Sequence, residues 1–556
     1  MKLFKSPFSL FVIAFILIIN SFSFGQNKGL RTITEKELRY HLSFLGAPEF
    51  RGRETPSHEL EIATLYLANW AKDAGLKTLN PNGSFYQSIP ITVTSVSPAN
   101  TRMSIITANS EQIFNYGESF GGSFYNSGSY FGEVVFVGLG IQNEEMNWDD
   151  LKDLDVFGKI VIILDEQLPD NQFTLGSTYS YRLSSRIRNI RNRGAAAVFS
   201  IVSLEREKQK LEGINIFDDI PRGRMATMYD SQRRGISPTR TSQSNTDEGP
   251  RRPYLPFVQA EIGHDLASSI LGISNNQVAA MFAMIKNGKQ VPGMVIPDTR
   301  IQLNVEVKTK PSNTRNVLGL IEGSDPVLKN EYIVICAHHD HLGISDGEII
   351  AGADDNATGT IALMEIAQAL MVERPKRSVI IAWFTGEERG YIGSQYFINN
   401  SIVPIEKINT CLNMDMLGRN HTDSLFLVGS DLLSSELDAS IHKVNKKFKI
   451  NFGFDYMYSN LTHPQRVYFR SDQYPHIRFG IPSVWFFCGF TPDYHTPRDI
   501  LEYIDYKKFL KITKLVYLTA FEVGNMKNML KLDVNPEVSS RGKHNLTVKS
   551  LYQNTR

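Results

Sequence analysis

The stretch I333-V-I-C-A-H-H-D-H-L-G343 sets three histidines, His338, His339 and His341, around Asp340. Downstream, G352-A-D-D-N-A-T-G359, T385-G-E-E388, Asp415 and Y494-H-T-P-R-D499 add carboxylates and a further histidine. Neutral imidazole with ionised carboxylate and no cysteine is a donor set for zinc or a similar divalent ion, and several carboxylates can hold two ions. Cobalt or manganese would also fit such a set. A paired site needs a bridging carboxylate, and Asp354 and Asp355 are both candidates. Side chains alternate along a strand, so His338 and Asp340 lean to one face and His339 and His341 to the other. That parity suits a ligand and its orienting carboxylate on the face of His338 and Asp340, with His339 and His341 as neighbours of the site.

These residues need elements that converge. From residue 313 onward the pattern is strand, helix, strand, helix. The runs V317-L-G-L-I321, Y332-I-V-I-C336, S378-V-I-I-A-W-F384, I408-N-T-C-L-N-M414 and P482-S-V-W-F-F487 read as buried strands. Residues 358–371 and 434–447 read as amphipathic helices, and Asp505 caps a last helix over about 506–527. Alternating strands and helices imply a mixed, largely parallel α/β sheet covered by helices on both faces. In open α/β sheets, sites form beyond the C-terminal ends of the strands. All the polar sets fall at such ends or in the loop beside them, a placement that scattered caps and solvated charges would not produce. His421, His442, His463 and His476 match no motif and read as surface or packing histidines.

Before this region, residues 33–46 and 58–75 read as helices, the second closed by Gly75. Residues 84–107 alternate as strands, and R51-G-R-E-T-P-S57 is a turn-rich link. Residues 109–300 carry short Val- and Ile-rich runs between turns, a β-rich inserted domain with a few helices, one at roughly 178–193. Within it, 221–253 are poor in apolar residues and read as a mobile solvated loop.

Lys2 and Lys5, the apolar run Phe8–Ile19 and the small and polar S21-F-S-F-G-Q26 describe a secretory signal peptide, 1–25, too short for a membrane span. The expected location is exported, periplasmic or extracellular, with no membrane attachment after signal removal. A formal net charge of +1 gives no electrostatic argument for nucleic acid. Three cysteines, Cys336, Cys411 and Cys488, are too few for a disulfide scaffold and lie in apolar runs, which favours buried thiols.

The order H-x-D, G-A-D-D-N-x-x-G, E-E-x-G-x-x-G-S, N-x-D-M and Y-H-T resembles the M28 family of zinc peptidases, which includes secreted bacterial aminopeptidases and glutamate carboxypeptidases. The resemblance spans about 313–525 and a leading segment at 33–80. Within the insertion, V134-V-F-V-G-L-G140, G158-K-I-V161 and N192-R-G-A-A-A-V198 resemble a protease-associated (PA) domain. The implied organisation is signal peptide 1–25, N-terminal part of the peptidase domain 26–108, PA-like insertion 109–300, catalytic domain 301–530 and polar tail 531–556.

The resemblance implies two Zn2+ ions held by His338, Asp355, Glu388, Asp415 and His495, with Asp355 bridging. It makes Glu387 the general base, Asp340 the carboxylate that orients His338, and Tyr494 a candidate donor to the oxyanion. S471-D-Q-Y474 departs from the commoner S-D-H and leaves the role of Asp472 open. Adjacent Glu387 and Glu388 can diverge, so that one ligates while the other accepts a proton. The implied activity is that of a secreted di-zinc exopeptidase acting on peptides, an aminopeptidase first. A glutamate-carboxypeptidase-like enzyme, a glutaminyl cyclase-like enzyme and a non-catalytic receptor are the alternatives. Gating, substrate selection and homodimer formation stay open as roles for the insertion.

Overall fold

In the computed structural model the described residues are 28–542, except 144–146, 169–182, 214–216, 218–224, 229–256, 346–347 and the single positions 123, 125, 167 and 464. The expected signal peptide, the tail from 543 onward and most of the 221–253 loop therefore lie outside the described residues.

Four uninterrupted apolar runs form the centre of the larger sheet. Ser378–Phe384, Tyr332–His338, Ile408–Met414 and Ser483–Phe487 lie side by side in that order, all parallel. Each is buried almost throughout, as strands covered on both faces must be. Val307–Ile321 and Tyr86–Val96 extend one side antiparallel, and Ser424–Val428 with Gly453–Asp455 extends the other. The sheet is therefore mixed, with the parallel part at its centre.

Strand periodicity divides the core. Ile333, Ile335 and Ala337 face a cluster with Leu38, Leu42, Leu67, Ile361 and Phe509, contributed by Glu35–Leu45, His58–Asp73, Gly359–Val372 and Tyr506–Gly524. Val334 and Cys336 face Phe397 and Ile398 of Ile392–Asn399 on the opposite side. Asp505 caps the last long helix, its carboxylate accepting the Lys507 and Lys508 N–H groups at 3.0 and 3.1 Å. The cysteines are free and buried, with Cys336 Sγ 3.5 Å from Cys411 Sγ on the neighbouring strand.

A second, eight-stranded sheet makes up the insertion, with its own core around Val134, Phe136, Ile162, Phe199 and Leu303. Its bounds differ from the expected 109–300. Arg102–Ile106 and Met294–Val305 pair with each other in this sheet. The alternating run 84–107 thus breaks at the turn Pro98–Asn100, with one strand given to each sheet. A second difference concerns the 221–253 loop: Met225–Met228 is a strand that pairs antiparallel with Tyr86–Val96 at the edge of the larger sheet. The helix expected at 178–193 is described as Leu183–Asn192.

Candidate metal centre

The parallel strands end at one edge, and the polar sets meet there. Tyr332–His338 ends on the first histidine, Ser378–Phe384 leads through Thr385 and Gly386 to Glu387 and Glu388, and Ile408–Met414 leads directly to Asp415. His495 and Tyr494 come from the loop that follows Ser483–Phe487. A cleft lined by Asp355, Glu387, Glu388, Asp415, Tyr494 and His495 opens above them.

The donors form two sets around one carboxylate. His338 Nε2 lies 3.4 Å from Asp355 Oδ1 and 3.3 Å from Asp415 Oδ1. On the other side, His495 Nε2 lies 3.1 Å from Asp355 Oδ2 and 3.3 Å from Glu388 Oε1. Asp355 thus turns one oxygen to each set. Asp354, the other bridging candidate, turns away: its Oδ1 accepts the Gly418 N–H at 2.6 Å. Glu387 joins neither set, and its N–H donates to Asp340 Oδ1 at 3.1 Å.

A net of contacts fixes these positions. Asp499 accepts the backbone N–H groups of Asp354 and Asp355, both at 2.9 Å, and so holds the loop that carries the shared carboxylate. Ser471 Oγ donates to Asp415 Oδ2 at 2.5 Å, and Trp485 Nε1 donates to the Asp415 carbonyl at 2.9 Å. Arg53, fully buried, spreads its guanidinium over the carbonyls of His339, Leu45, Ala351 and Gly352. It thereby ties the histidine loop to the loop that precedes Asp355.

The electrostatics call for cations. Burial opposes protonation of His338, yet Asp415, Asp340 and Asp355 together outweigh it and hold the imidazole well above its ordinary pKa. Glu388 and Asp355 likewise outweigh burial at His495 and push it up to about 10. Glu387 is pushed well above the usual carboxylate range by burial, with Glu388 and Asp415 adding to the effect and His338 opposing it. A carboxylate displaced in that direction is suited to accept and hold a proton.

The residues fit a pair of divalent ions. His338 Nε2, Asp415 Oδ1 and Glu388 Oε1 are buried without a hydrogen-bond partner, a costly state unless something else occupies their lone pairs. Zinc bonded at 2.0–2.2 Å in a tetrahedron separates neighbouring donors by about 3.3 Å, and the 3.1–3.4 Å donor separations match that spacing.

The structure brings some of the residues singled out in the sequence together and gives others a different place. His338, Asp355, Asp415, Glu388 and His495 converge, with Glu387 and Tyr494 beside them. His339 is a structural residue, since Nδ1 faces the Phe384 carbonyl at 2.7 Å and Nε2 faces Thr64 Oγ1 at 3.0 Å. The parity argument fails for His341. The regular strand ends at His338, residue 341 bridges to Glu54 instead, and His341 Nδ1 comes to 2.8 Å from Glu388 Oε1. Asp340 also differs from expectation: His338 Nδ1 is 3.2 Å from its backbone oxygen and 3.7 Å from its carboxylate. Gln473 fills the departure from S-D-H by donating to the Tyr468 and Arg470 carbonyls, while Asp472 accepts from Ser394 Oγ at 2.5 Å. His476 is a buried packing histidine against Phe384 and Phe397, as expected. Arg53, Ser471 and Asp499 lie in stretches the sequence singles out, R51-G-R-E-T-P-S57, S471-D-Q-Y474 and Y494-H-T-P-R-D499, but nothing in those stretches assigned them supporting roles.

Donor groups that share one carboxylate at the strand ends of a mixed α/β sheet make this a candidate metal centre. Residues 316–520 match the sequence profile of peptidase family M28. A leucine aminopeptidase 2 of Arthroderma otae is 23% identical over 253 residues, 44% of this chain and 48% of that protein. An aminopeptidase of Pseudomonas aeruginosa is 33% identical over 143 residues, 25% of each chain. The chain thus spans about half the length, or less, of these curated relatives. Two solved structures share the fold. An aminopeptidase from Aneurinibacillus sp. strain AM-1 has TM-score 0.50 and 18% identity, covering 93% of this chain and 99% of that one. The zinc aminopeptidase BSAP from Bacillus subtilis has TM-score 0.50 and 15% identity, with 90% and 99% covered.

Proposed function

We propose that this protein is a di-zinc exopeptidase, an aminopeptidase that removes N-terminal residues from peptides. The observation that carries the reading is Asp355, whose two oxygens face separate donor sets beside an unengaged glutamate, Glu387. His338, Asp355 and Asp415 would hold one ion, and Asp355, Glu388 and His495 the other. Two zinc ions at such a site lower the pKa of water and polarise a carbonyl.

The chain's own groups supply the rest. Glu387 takes the proton of the attacking water and delivers it to the leaving amine. Tyr494 lines the cleft with its ring stacked on His495, 3.7 Å between centroids, and we read its hydroxyl as the donor to the developing oxyanion. The names of the relatives and the family match support aminopeptidase chemistry. We further read the second sheet as a PA-like insertion that meets the substrate or a second copy of the chain, and we read the protein as exported. No helix among the described residues is long and apolar enough to cross a membrane.

One observation favours a carboxypeptidase as the second reading. Arg470 lines the cleft with its guanidinium over the Phe490 ring, 5.3 Å from the centroid, and would suit a substrate's terminal carboxylate. Unblocked aminoacyl-anilides and N-acetylated peptides separate the two. The aminopeptidase is expected to cleave only the former, to contain about two zinc ions per chain, and to lose zinc and activity together on chelation. Cleavage confined to N-blocked peptides with free carboxylates would establish the second reading instead.

A further inference from the structure

His341 stands outside the donor set that the M28 resemblance supplies, and its surroundings call for a partner. The side chain is fully buried, and neither ring nitrogen has a hydrogen-bond partner among the described residues. Nδ1 lies 2.8 Å from Glu388 Oε1 and 3.9 Å from Asp355 Oδ1, and the three residues together form a group able to hold a metal ion. The 2.8 Å approach is short enough for a hydrogen bond, but the ring is turned so that an N–H on Nδ1 does not point at the carboxylate oxygen. Two buried donor atoms at that separation, neither engaged by a hydrogen bond, are placed to be neighbours on a common ion. Their spacings lie on either side of the about 3.3 Å expected between ligands of a tetrahedral zinc.

The backbone around His341 is arranged to admit the ring. Its N–H donates to the Arg53 carbonyl at 3.1 Å, which anchors the segment after the strand. Gly352 lies directly against the ring, and a Cβ there would come within 2.4 Å of His341 Cδ2 and 2.3 Å of the Asp355 carbonyl. With φ at +65°, position 352 also favours glycine on conformational grounds. The His341 and His495 rings are 5.6 Å apart and nearly perpendicular, so both approach Glu388 without stacking on each other.

We infer that His341 Nδ1 is a protein ligand to the ion held by Asp355, Glu388 and His495. The two ions are then unequal. The one beside His338 has three protein ligands, whereas the other has four, a number typical of closed, tightly held zinc sites. The inference rests on the binuclear metal reading above but is separable from it.

X-ray absorption of the zinc-loaded wild-type protein counts the imidazoles. Three histidines over two zinc ions give an average of 1.5 per zinc, against 1.0 if only His338 and His495 bind. Chelator competition supplies the second readout. Loss of a ligand in His341→Ala is expected to weaken one zinc by about 100-fold or more, beyond the 10- to 100-fold range of an orienting contact, while the other zinc changes little. An average of 1.0 with both zinc affinities intact in the variant would overturn the inference and leave the binuclear reading standing. Failure of the wild-type protein to bind zinc would overturn both. If His341→Ala does not fold, the absorption measurement on the wild type still decides.

Discussion

The backbone N–H of Glu387 donates to Asp340 Oδ1 at 3.1 Å, so the residue expected to orient the first histidine also holds the loop of the general base. A peptide N–H at a loop start is a fixed reference, and pinning it limits how far the Glu387 carboxyl can wander from the donor sets. Asp340→Asn keeps the shape but weakens the acceptor. Turnover is expected to fall about 10- to 100-fold with zinc content near that of wild type. Unchanged steady-state kinetics would show that the contact does not position Glu387.

Glu387 itself is expected to be needed for proton transfer and not for metal binding. Glu387→Gln should retain both zinc ions by metal analysis and lose about 100- to 10,000-fold in turnover, the range contributed by a positioned acid–base group. A variant that turns over at the wild-type rate rules out this assignment.

Arg53 contacts the carbonyls of His339 and Gly352, 286 and 299 residues further along the chain, and so ties their two loops together. Its guanidinium fork makes bonds that a single ammonium cannot reproduce. Arg53→Lys keeps the charge and leaves buried carbonyls unsatisfied, at a cost on the order of 3 kcal/mol. Denaturant unfolding should show this loss, together with weaker zinc binding because His338 and Asp355 lose their common anchor. Wild-type stability in the variant would mean that water or the introduced ammonium serves those carbonyls equally well.

Away from the metal centre, Glu365 is buried on the helix Gly359–Val372, and burial together with Glu37 pushes its pKa from 4.5 up to about 8. The folded chain therefore keeps a proton that the unfolded chain has released over that interval. Stability from this group is present below pH 4.5 and falls as pH rises toward about 8. Glu365→Gln should remove the dependence, giving a melting temperature on the order of 3 °C or more above wild type at pH 9. Parallel melting curves for the two proteins across pH 5–9 would contradict it.

The sequence alone determined the elements and the donors. Apolar runs such as S378-V-I-I-A-W-F384 fix buried strands because a strand covered on both faces has no polar side, and the strand-end rule then collects His338, Glu388 and Asp415. It did not determine which strand run belonged to which sheet, so the break between Tyr86–Val96 and Arg102–Ile106 emerged only from pairing. Nor did it assign the supporting contacts, because a hydrogen bond such as that from Asp355 N–H to Asp499, 144 residues apart, has no local signature. His341 makes the difference plain. Period-two alternation is assured only within the regular strand, which ends at His338, three residues before His341. The residue type offered a ligand, but only the path of the folded chain brings that imidazole beside Glu388.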